Sequence, residues 1–283
     1  MNTPHVAAAG GGFGQRVVTA LVLAPLAILA VLYMPPPWFA LAFGALFAVG
    51  LWEWTRLCGL VGRWPRVLVV ALFALALWLL WPERETLWLP LSLVGAGFWL
   101  LALLWLGFAR FGHGPGPLAV ALKLLAGVLV LAPAWLAAVH LDGDGPRGAL
   151  WVLYVMTLIW CADIFAYLAG RRFGKRKLAP AISPGKTWAG VYGALLGAGL
   201  YALLLGLSHL HLRPAMLIGF VGLSLLCVAM SIVGDLFESL VKRQAGVKDS
   251  GIIFPGHGGV FDRFDSLFAA LTWFALGKLW LGL

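Results

Sequence analysis

The apolar residues of this chain fall into long segments that short polar stretches separate. A helix that crosses the hydrocarbon core of a bilayer needs about 20 predominantly apolar residues. The pattern therefore predicts an all-α fold, a polytopic transmembrane helical bundle of about nine spans. These spans are residues 16–34, 38–58, 67–82, 87–109, 118–140, 148–170, 187–207, 214–234 and 266–283. Because the third span is short and the last one reaches the C-terminus, eight spans is the alternative.

The composition excludes a water-soluble globule. Hydrophobic residues make up 62% of the chain and charged residues only 11%, whereas about 25% of the residues of a soluble domain are charged. The 15 Trp residues fit a membrane protein as well, since Trp is enriched at the headgroup level of a bilayer. The sequence is that of an integral membrane protein.

The net charge of +9 has a simple explanation in such a protein. If the N-terminus is inside, 15 of the 20 Lys and Arg residues lie in cytoplasmic segments and three in external ones. Basic residues concentrate in cytoplasmic loops, so we expect the N-terminus and the long polar loops 171–186 and 235–265 to face the cytoplasm. We expect no nucleic-acid partner.

The 11 acidic residues are few enough to interpret one by one. Glu53 lies near the inner end of the second span, and we expect it to pair with Arg56 three residues later. Asp163 lies deep in the sixth span, where an unpaired carboxylate costs several kcal/mol, so we expect it to serve function. Five further acids fall within one 31-residue window: Asp235, Glu238, Asp249, Asp262 and Asp265.

This window combines an amphipathic helix with a glycine-rich loop. From residue 235 to 243 the polar side chains recur on one helical face, and Gly246 suits the end of that helix. Residues 255–259 cannot form a regular helix because four of the five are Gly or Pro. Such a backbone can aim N–H groups at phosphate oxygens. With carboxylates beside it, the window predicts a Mg²⁺–phosphate site, with Asp235 and Asp262 as ligands.

The basic loop 171–186 ends in Gly185-Lys186-Thr187, which is similar to the end of a phosphate-binding P-loop. However, Pro180 occupies the position of the first glycine, and no strand is predicted before it, so we reject that interpretation. Anchoring at the inner membrane surface accounts for the basic run 171–177. Ser183 and Lys186 are the better functional candidates, since they lie at the mouth of the next span.

These motifs resemble those of the phosphatidate cytidylyltransferase (CDP-diacylglycerol synthase) family. The resemblance extends over 27 consecutive residues and is carried by Ser239, Lys242-Arg243, Lys248-Asp249, Pro255, His257-Gly258-Gly259, Asp262-Arg263 and Asp265. A second similar segment contains Asp163, Tyr167, Gly170, Gly174, Ser183-Pro184 and Lys186-Thr187. One departure is Ala189, which stands where the family usually has Glu.

The resemblance implies transfer of the cytidylyl group of CTP to phosphatidic acid, which gives CDP-diacylglycerol and pyrophosphate. It also implies Mg²⁺, with a second, monovalent cation such as K⁺ beside it. The expected location is the bacterial cytoplasmic membrane, with the active site at the cytoplasmic face. We expect contacts with membrane lipids and a homodimer.

On this basis we assign roles to the candidate residues. Lys186, Lys248 and Arg263 are expected to bind the CTP phosphates and to stabilise the leaving pyrophosphate. Ser183, Lys242 and Arg243 are expected to contact a phosphate or the lipid headgroup. Asp265 and Asp249 are expected to assist the metal ligands or to hold the second cation. The remaining substrate-binding candidates are Asp163, His257, Gly258 and Gly259.

The motifs divide the chain into two parts. Residues 1–147 contain about five spans without a motif and are expected to form an oligomer interface or a lipid-facing part. Residues 148–283 are expected to form the catalytic part, with the two polar loops. Two alternatives remain: a CTP-dependent transferase or kinase acting on a prenol or ether lipid, and a transporter, which would place more charges within its spans.

Overall fold

A computed structural model of the chain describes residues 13–114, 116–254 and 258–283. Within these ranges the chain forms nine α-helices and a two-stranded antiparallel sheet. The elements are α1 Phe13–Tyr33, α2 Pro36–Leu57, α3 Arg63–Leu80, α4 Arg84–Gly107, α5 Pro117–Gly143, α6 Gly148–Phe173, β1 Lys177–Ala179, β2 Ser183–Thr187, α7 Trp188–Ser208, α8 Pro214–Gln244 and α9 Phe261–Leu281.

The predicted transmembrane bundle is confirmed. In the described ranges, eight helices, α2 to α9, are long and apolar enough to cross a membrane. The first predicted span corresponds to α1, in which the segment Leu21–Tyr33 is an apolar helix. The chain is therefore an integral membrane protein, and the difference between eight and nine spans depends on α1 alone.

Helix α8 is longer than the span predicted for it. Its 31 residues extend about 46 Å at 1.5 Å per residue, while the hydrocarbon core is about 30 Å thick. The predicted amphipathic segment from residue 235 is thus the continuation of this span beyond the apolar layer. Gly246 follows the helix with a φ of +70°, and its N–H donates to the carbonyl of Arg243, as expected at a helix C-terminus.

The loop 171–186 contains the small sheet, which the sequence analysis missed. Lys177 pairs with Thr187 and Ala179 with Ser183. A strand therefore precedes the Gly185-Lys186-Thr187 segment, contrary to our expectation, but that segment itself lies in β2 and is no P-loop. Thr187 caps α7, because its hydroxyl accepts a hydrogen bond from the N–H of Gly190 at 3.1 Å.

Both predicted parts of the chain contribute to one hydrophobic core. Helices α2 and α4 pack against α8 and α9, and α5 packs against α9. Two buried indoles lock α2 to α5: the N–H of Trp54 donates to the carbonyl of Lys123, and that of Trp135 to the carbonyl of Ala40. Such bonds remove the cost of burying the indole N–H groups. The separate roles predicted for the two parts stay predictions.

The polar segments converge at one end of the bundle. The C-terminal end of α2 reaches the segment after α8, where Arg56 donates to the carbonyl of Ser250 at 2.7 Å. The amide of Gln244, the last residue of α8, donates to the carbonyls of Ala109 and Phe111 beyond α4. This end also contains the start of α7 and of α9, because successive helices alternate in direction.

A close contact between α2 and α5 provides a test of this packing. A Cβ atom at Gly127 would lie 2.4 Å from the indole of Trp54, whereas one at Gly97 would meet nothing within 4 Å. Alanine favours a helix over glycine by about 1 kcal/mol, but overpacking costs about 1–3 kcal/mol. We expect Gly127→Ala to lower the thermal unfolding temperature in detergent and Gly97→Ala to leave it equal or higher. Equal unfolding temperatures would contradict this packing.

Candidate active site

A pocket of about 350 Å³ opens between α6, the β2–α7 junction and α8. Its polar walls are formed by Asp163 from α6, Lys186 from β2 and Asp235 from α8. Leu178 and Ile232 supply apolar surface beside them. The structure therefore brings together three predicted site residues that lie up to 72 positions apart in the sequence.

An ion pair between Lys186 and Asp235 forms the centre of this pocket. The Lys186 ammonium lies 2.5 Å from one carboxylate oxygen of Asp235, and both side chains remain about a quarter to a third exposed. The other oxygen of Asp235 accepts a hydrogen bond from the hydroxyl of Ser239 at 3.3 Å. A substrate phosphate that enters the pocket would therefore meet a fixed cation.

A second acidic group lies next to Asp235 because α8 and α9 approach closely. At Gly234 a Cβ atom would lie 2.5 Å from the carbonyl oxygen of Asp265, so only glycine permits this contact. The Asp265 carboxyl group lies close enough to Glu238 for the two groups to influence each other, and one oxygen of Glu238 is buried without a hydrogen-bond partner. Asp163 and Asp265 both lie within the electrostatic influence of Asp235. Carboxyl groups from α6, α8 and α9 thus lie in the pocket or beside it.

Lys242 connects two buried carboxylates. Its ammonium lies 2.9 Å from Glu238 and 2.6 Å from Asp262, and the Glu238 side chain is 1% exposed. The pair with Glu238 joins successive turns of α8, and the contact with Asp262 buries this polar face against the start of α9. The phosphate contact predicted for Lys242 stays a prediction, since in this structure its charge neutralises the two acids.

Asp262 organises the segment that precedes α9. One of its oxygens accepts hydrogen bonds from the N–H and the hydroxyl of Ser250 and from the N–H of Gly259, all at 2.8 Å. Gly258 has a φ of +80°, and a Cβ atom there would lie 2.5 Å from the same oxygen. The glycines therefore allow the chain to wrap around a carboxylate. His257, a predicted site residue, lies outside the described residues.

Glu53 is an unexpected member of this region. It does not pair with Arg56, so that prediction is wrong: Glu53 accepts hydrogen bonds from Ser250 and Phe261, while Arg56 donates to main-chain carbonyls of the same loop. Its spacing from Arg56 was therefore misleading. The signal that could have pointed to Glu53 is the cost of a carboxylate near an apolar span.

The other predicted site residues are distributed around this centre. Lys248, Asp249 and Arg263 are exposed. Arg263 is close enough to Asp163 for the two charges to attract each other. Ser183 lies at the start of β2 and is partly buried, whereas Arg243 donates from Nε to the carbonyl of Ile182 at 3.1 Å. The roles assigned to these residues stay predictions.

Arg171 is a candidate that the sequence analysis attributed to membrane anchoring. It lines the pocket together with Tyr167 and donates to the phenol oxygen of that residue at 3.1 Å. Arginine suits bidentate recognition of phosphate. Its position on α6, about two turns beyond Asp163, was readable from the sequence, but the neighbouring basic residues made membrane anchoring a sufficient explanation.

Ala189, which stands where the family usually has Glu, lies in the first turn of α7. That turn contains no acidic residue. An acid there would interact favourably with the N-terminal end of the helix dipole. In this chain the cap formed by Thr187 supports that end without it.

Fold and site together define a class: a polytopic membrane protein with clustered carboxylates and cations at one end of its bundle. The model of the cytidylyltransferase family matches residues 14–279. The phosphatidate cytidylyltransferase of Pseudomonas aeruginosa is 43% identical over 272 residues, which cover 94% of this chain and 96% of that protein. The Haemophilus influenzae protein of the same name is 39% identical and covers 92% and 96%. The chain belongs to the cytidylyltransferase family.

Two of the cations predicted to contact phosphates, Lys242 and Lys248, differ in burial, and the effect of this difference on stability can be measured. Removing a partner from a buried ion pair costs about 3–5 kcal/mol, so Lys242→Met is expected to lower the thermal unfolding temperature strongly. Lys248→Met is the matched control, because Lys248 is exposed and its loss is expected to leave that temperature unchanged. Unfolding in detergent measures both. A stable Lys242→Met variant would contradict the buried ion network.

Proposed function

We propose that this protein transfers the cytidylyl group of CTP to phosphatidic acid, which yields CDP-diacylglycerol and pyrophosphate for phospholipid synthesis. The observation that carries the proposal is the Lys186–Asp235 ion pair in a pocket shared by α6, β2 and α8. Membership of the family supports the reaction class, and the names of the two relatives support the substrates.

The charges at the site suit two anionic substrates. CTP and phosphatidate repel each other, and transfer between phosphate groups depends mainly on positioning and charge stabilisation. Lys186 and Arg171 both line the pocket. Arg263 and Lys248 are exposed, and in the sequence they lie close to the acids of the carboxylate cluster. We assign Lys186, Lys248 and Arg263 to the CTP phosphates, and Arg171 to an additional phosphate contact.

In the proposed reaction an oxygen of the phosphatidate phosphate forms a bond to the α-phosphorus of CTP. The bond between that phosphorus and the oxygen bridging to the β-phosphate breaks, and pyrophosphate leaves with the electron pair. The nucleophile is already an anion, so the chain need not supply a strong base. Lys186 would bind the departing phosphates through the charge that Asp235 now holds in place.

The donor set fits a Mg²⁺ ion. Asp235 and its neighbour Asp265 are carboxylates in a cluster with few cations, and one oxygen of the adjacent Glu238 is buried without a hydrogen-bond partner. Within the described ranges no group of three or more His, Cys, Asp or Glu side chains is arranged to hold a metal. Mg²⁺ commonly uses only one or two carboxylates, with water and substrate phosphates completing its coordination.

We therefore propose Asp235 and Asp265 as Mg²⁺ ligands. When bound, the ion would neutralise charge on the CTP phosphates and on the leaving pyrophosphate. Asp262, the second ligand predicted from the sequence, has one oxygen filled by three donors and the other bonded to Lys242. The role of Asp262 as a ligand stays a prediction. The ion would bind at the remaining lone pair of the oxygen that also accepts from Lys242.

We further propose that the polar end of the bundle faces the cytoplasm of a bacterial cell, where CTP is made. The distribution of 15 Lys and Arg residues on that side and three on the other supports this orientation. The homodimer, the bound membrane lipids and the second, monovalent cation stay predictions.

The reaction can be tested with purified protein, radiolabelled CTP and phosphatidate. We expect the wild-type protein to form CDP-diacylglycerol, and Asp235→Asn to lose at least about 10²-fold in rate, because the neutral amide holds Lys186 and a cation more weakly than the carboxylate does. Glu83→Gln, an exposed position between α3 and α4, is the control. Transfer to a prenol but not to phosphatidate would contradict the proposed substrate.

The metal assignment predicts a distinct pattern. EDTA should abolish product formation and Mg²⁺ should restore it. Because Asp265 is proposed as a ligand, Asp265→Asn should raise the Mg²⁺ concentration for half-maximal rate by roughly tenfold or more. Activity that persists in EDTA would refute the requirement for Mg²⁺, and an unchanged Mg²⁺ dependence in Asp265→Asn would exclude that residue as a ligand.

A further inference from the structure

Glu53 is the one acidic residue of the N-terminal helices that enters the polar end of the core. It belongs to α2, about 200 positions before the loop it contacts, and is 4% exposed. One of its oxygens accepts hydrogen bonds from the N–H of Phe261 at 2.9 Å and from the hydroxyl of Ser250 at 3.2 Å. Phe261 is the first residue of α9, so this carboxylate joins α2 to the start of α9.

The loop is shaped to receive this carboxylate. Cβ atoms at Gly251 and Gly259 would lie within 2.0 and 2.4 Å of the two Glu53 oxygens. Side chains at these two positions would therefore displace Glu53. Its second oxygen is buried without a hydrogen-bond partner, which is costly. A buried charge with so few partners is a weak contribution to stability and indicates another use.

Ser250 links Glu53 to the candidate active site. Its hydroxyl contacts both Glu53 and Asp262, and its N–H donates to Asp262. Arg56, one turn after Glu53, holds the carbonyl of the same serine at 2.7 Å. The main chain at Ser250 is thus held from two directions. Its carbonyl is bonded to Arg56 of α2, and its N–H is bonded to Asp262 of α9.

We propose that Glu53 is a positioning residue for the transfer reaction. Through Ser250 and the N–H of Phe261 it sets the position of Asp262 and Arg263 at the start of α9, without itself contacting substrate. The N-terminal helices then contribute directly to the geometry of the site. This inference rests on the proposed function, in that the residues it positions are those assigned to CTP and Mg²⁺.

The test compares Glu53→Gln and Ser250→Ala with wild type in kcat, KM for CTP and unfolding temperature. A misplacement of about 1 Å costs roughly 100-fold in rate, so we expect kcat per folded molecule to fall by roughly 10- to 100-fold. We expect the double variant to be little worse than the worse single variant, because both act through one contact. The control is Glu85→Gln, an exposed carboxylate that is 62% accessible and is expected to change nothing.

Hydrogen exchange supplies a readout that does not depend on activity. In Glu53→Gln the amides of Ser250, Gly259 and Phe261 should exchange faster, while the amides of the α6–α7 contact keep wild-type rates. A lowered unfolding temperature with wild-type kcat per folded molecule would show a purely structural role and overturn the proposal. Wild-type exchange and kcat would overturn it too. A wild-type protein without transferase activity would refute the proposed function, while the exchange result still decides the positioning.

Discussion

The structure depends on the burial of carboxylates in a bundle that offers few groups to neutralise them. Lys242 neutralises Glu238 and Asp262 together, and main-chain N–H groups satisfy the remaining oxygen of Asp262. Removing charge from water is expensive, so these acids can remain at the edge of the apolar core only while α8, α9 and the loop between them keep their relative positions. The polar site and the packing of the helices therefore depend on each other.

Glycine makes these contacts possible where side chains would keep the elements apart. Gly234 lets the backbone of α8 approach that of α9 beside Asp265, and Gly258, with its positive φ, lets the loop close on Asp262. Close helix contacts at small residues are a general feature of membrane bundles, where burial of apolar surface gives little driving force between helices. Here the same device also brings acids of two helices together.

The exposed charges and the buried charges have different parts in this arrangement. Lys186 and Asp235 hold each other at the pocket surface and remain partly exposed, whereas Lys242 is held on two acids in the interior. Two lysines of the candidate site thus differ in their exposure and in the number of acids that hold them. Charge alone would not distinguish Lys186 from Lys242, because burial and partners set the cost of moving each side chain.

The sequence by itself determined the class of fold, the spans to within a few residues except at the end of α8, and the two segments that contain the candidate site residues. The length of an apolar segment and the spacing of charged residues are local properties, so they can be read from the sequence without knowledge of the fold. Only the tertiary structure decided which acids meet: it placed Glu53 against Ser250 instead of Arg56, buried the polar face of α8, and formed a hairpin from the basic loop. Contacts between residues about 200 positions apart follow from how the helices pack, and no local pattern records that.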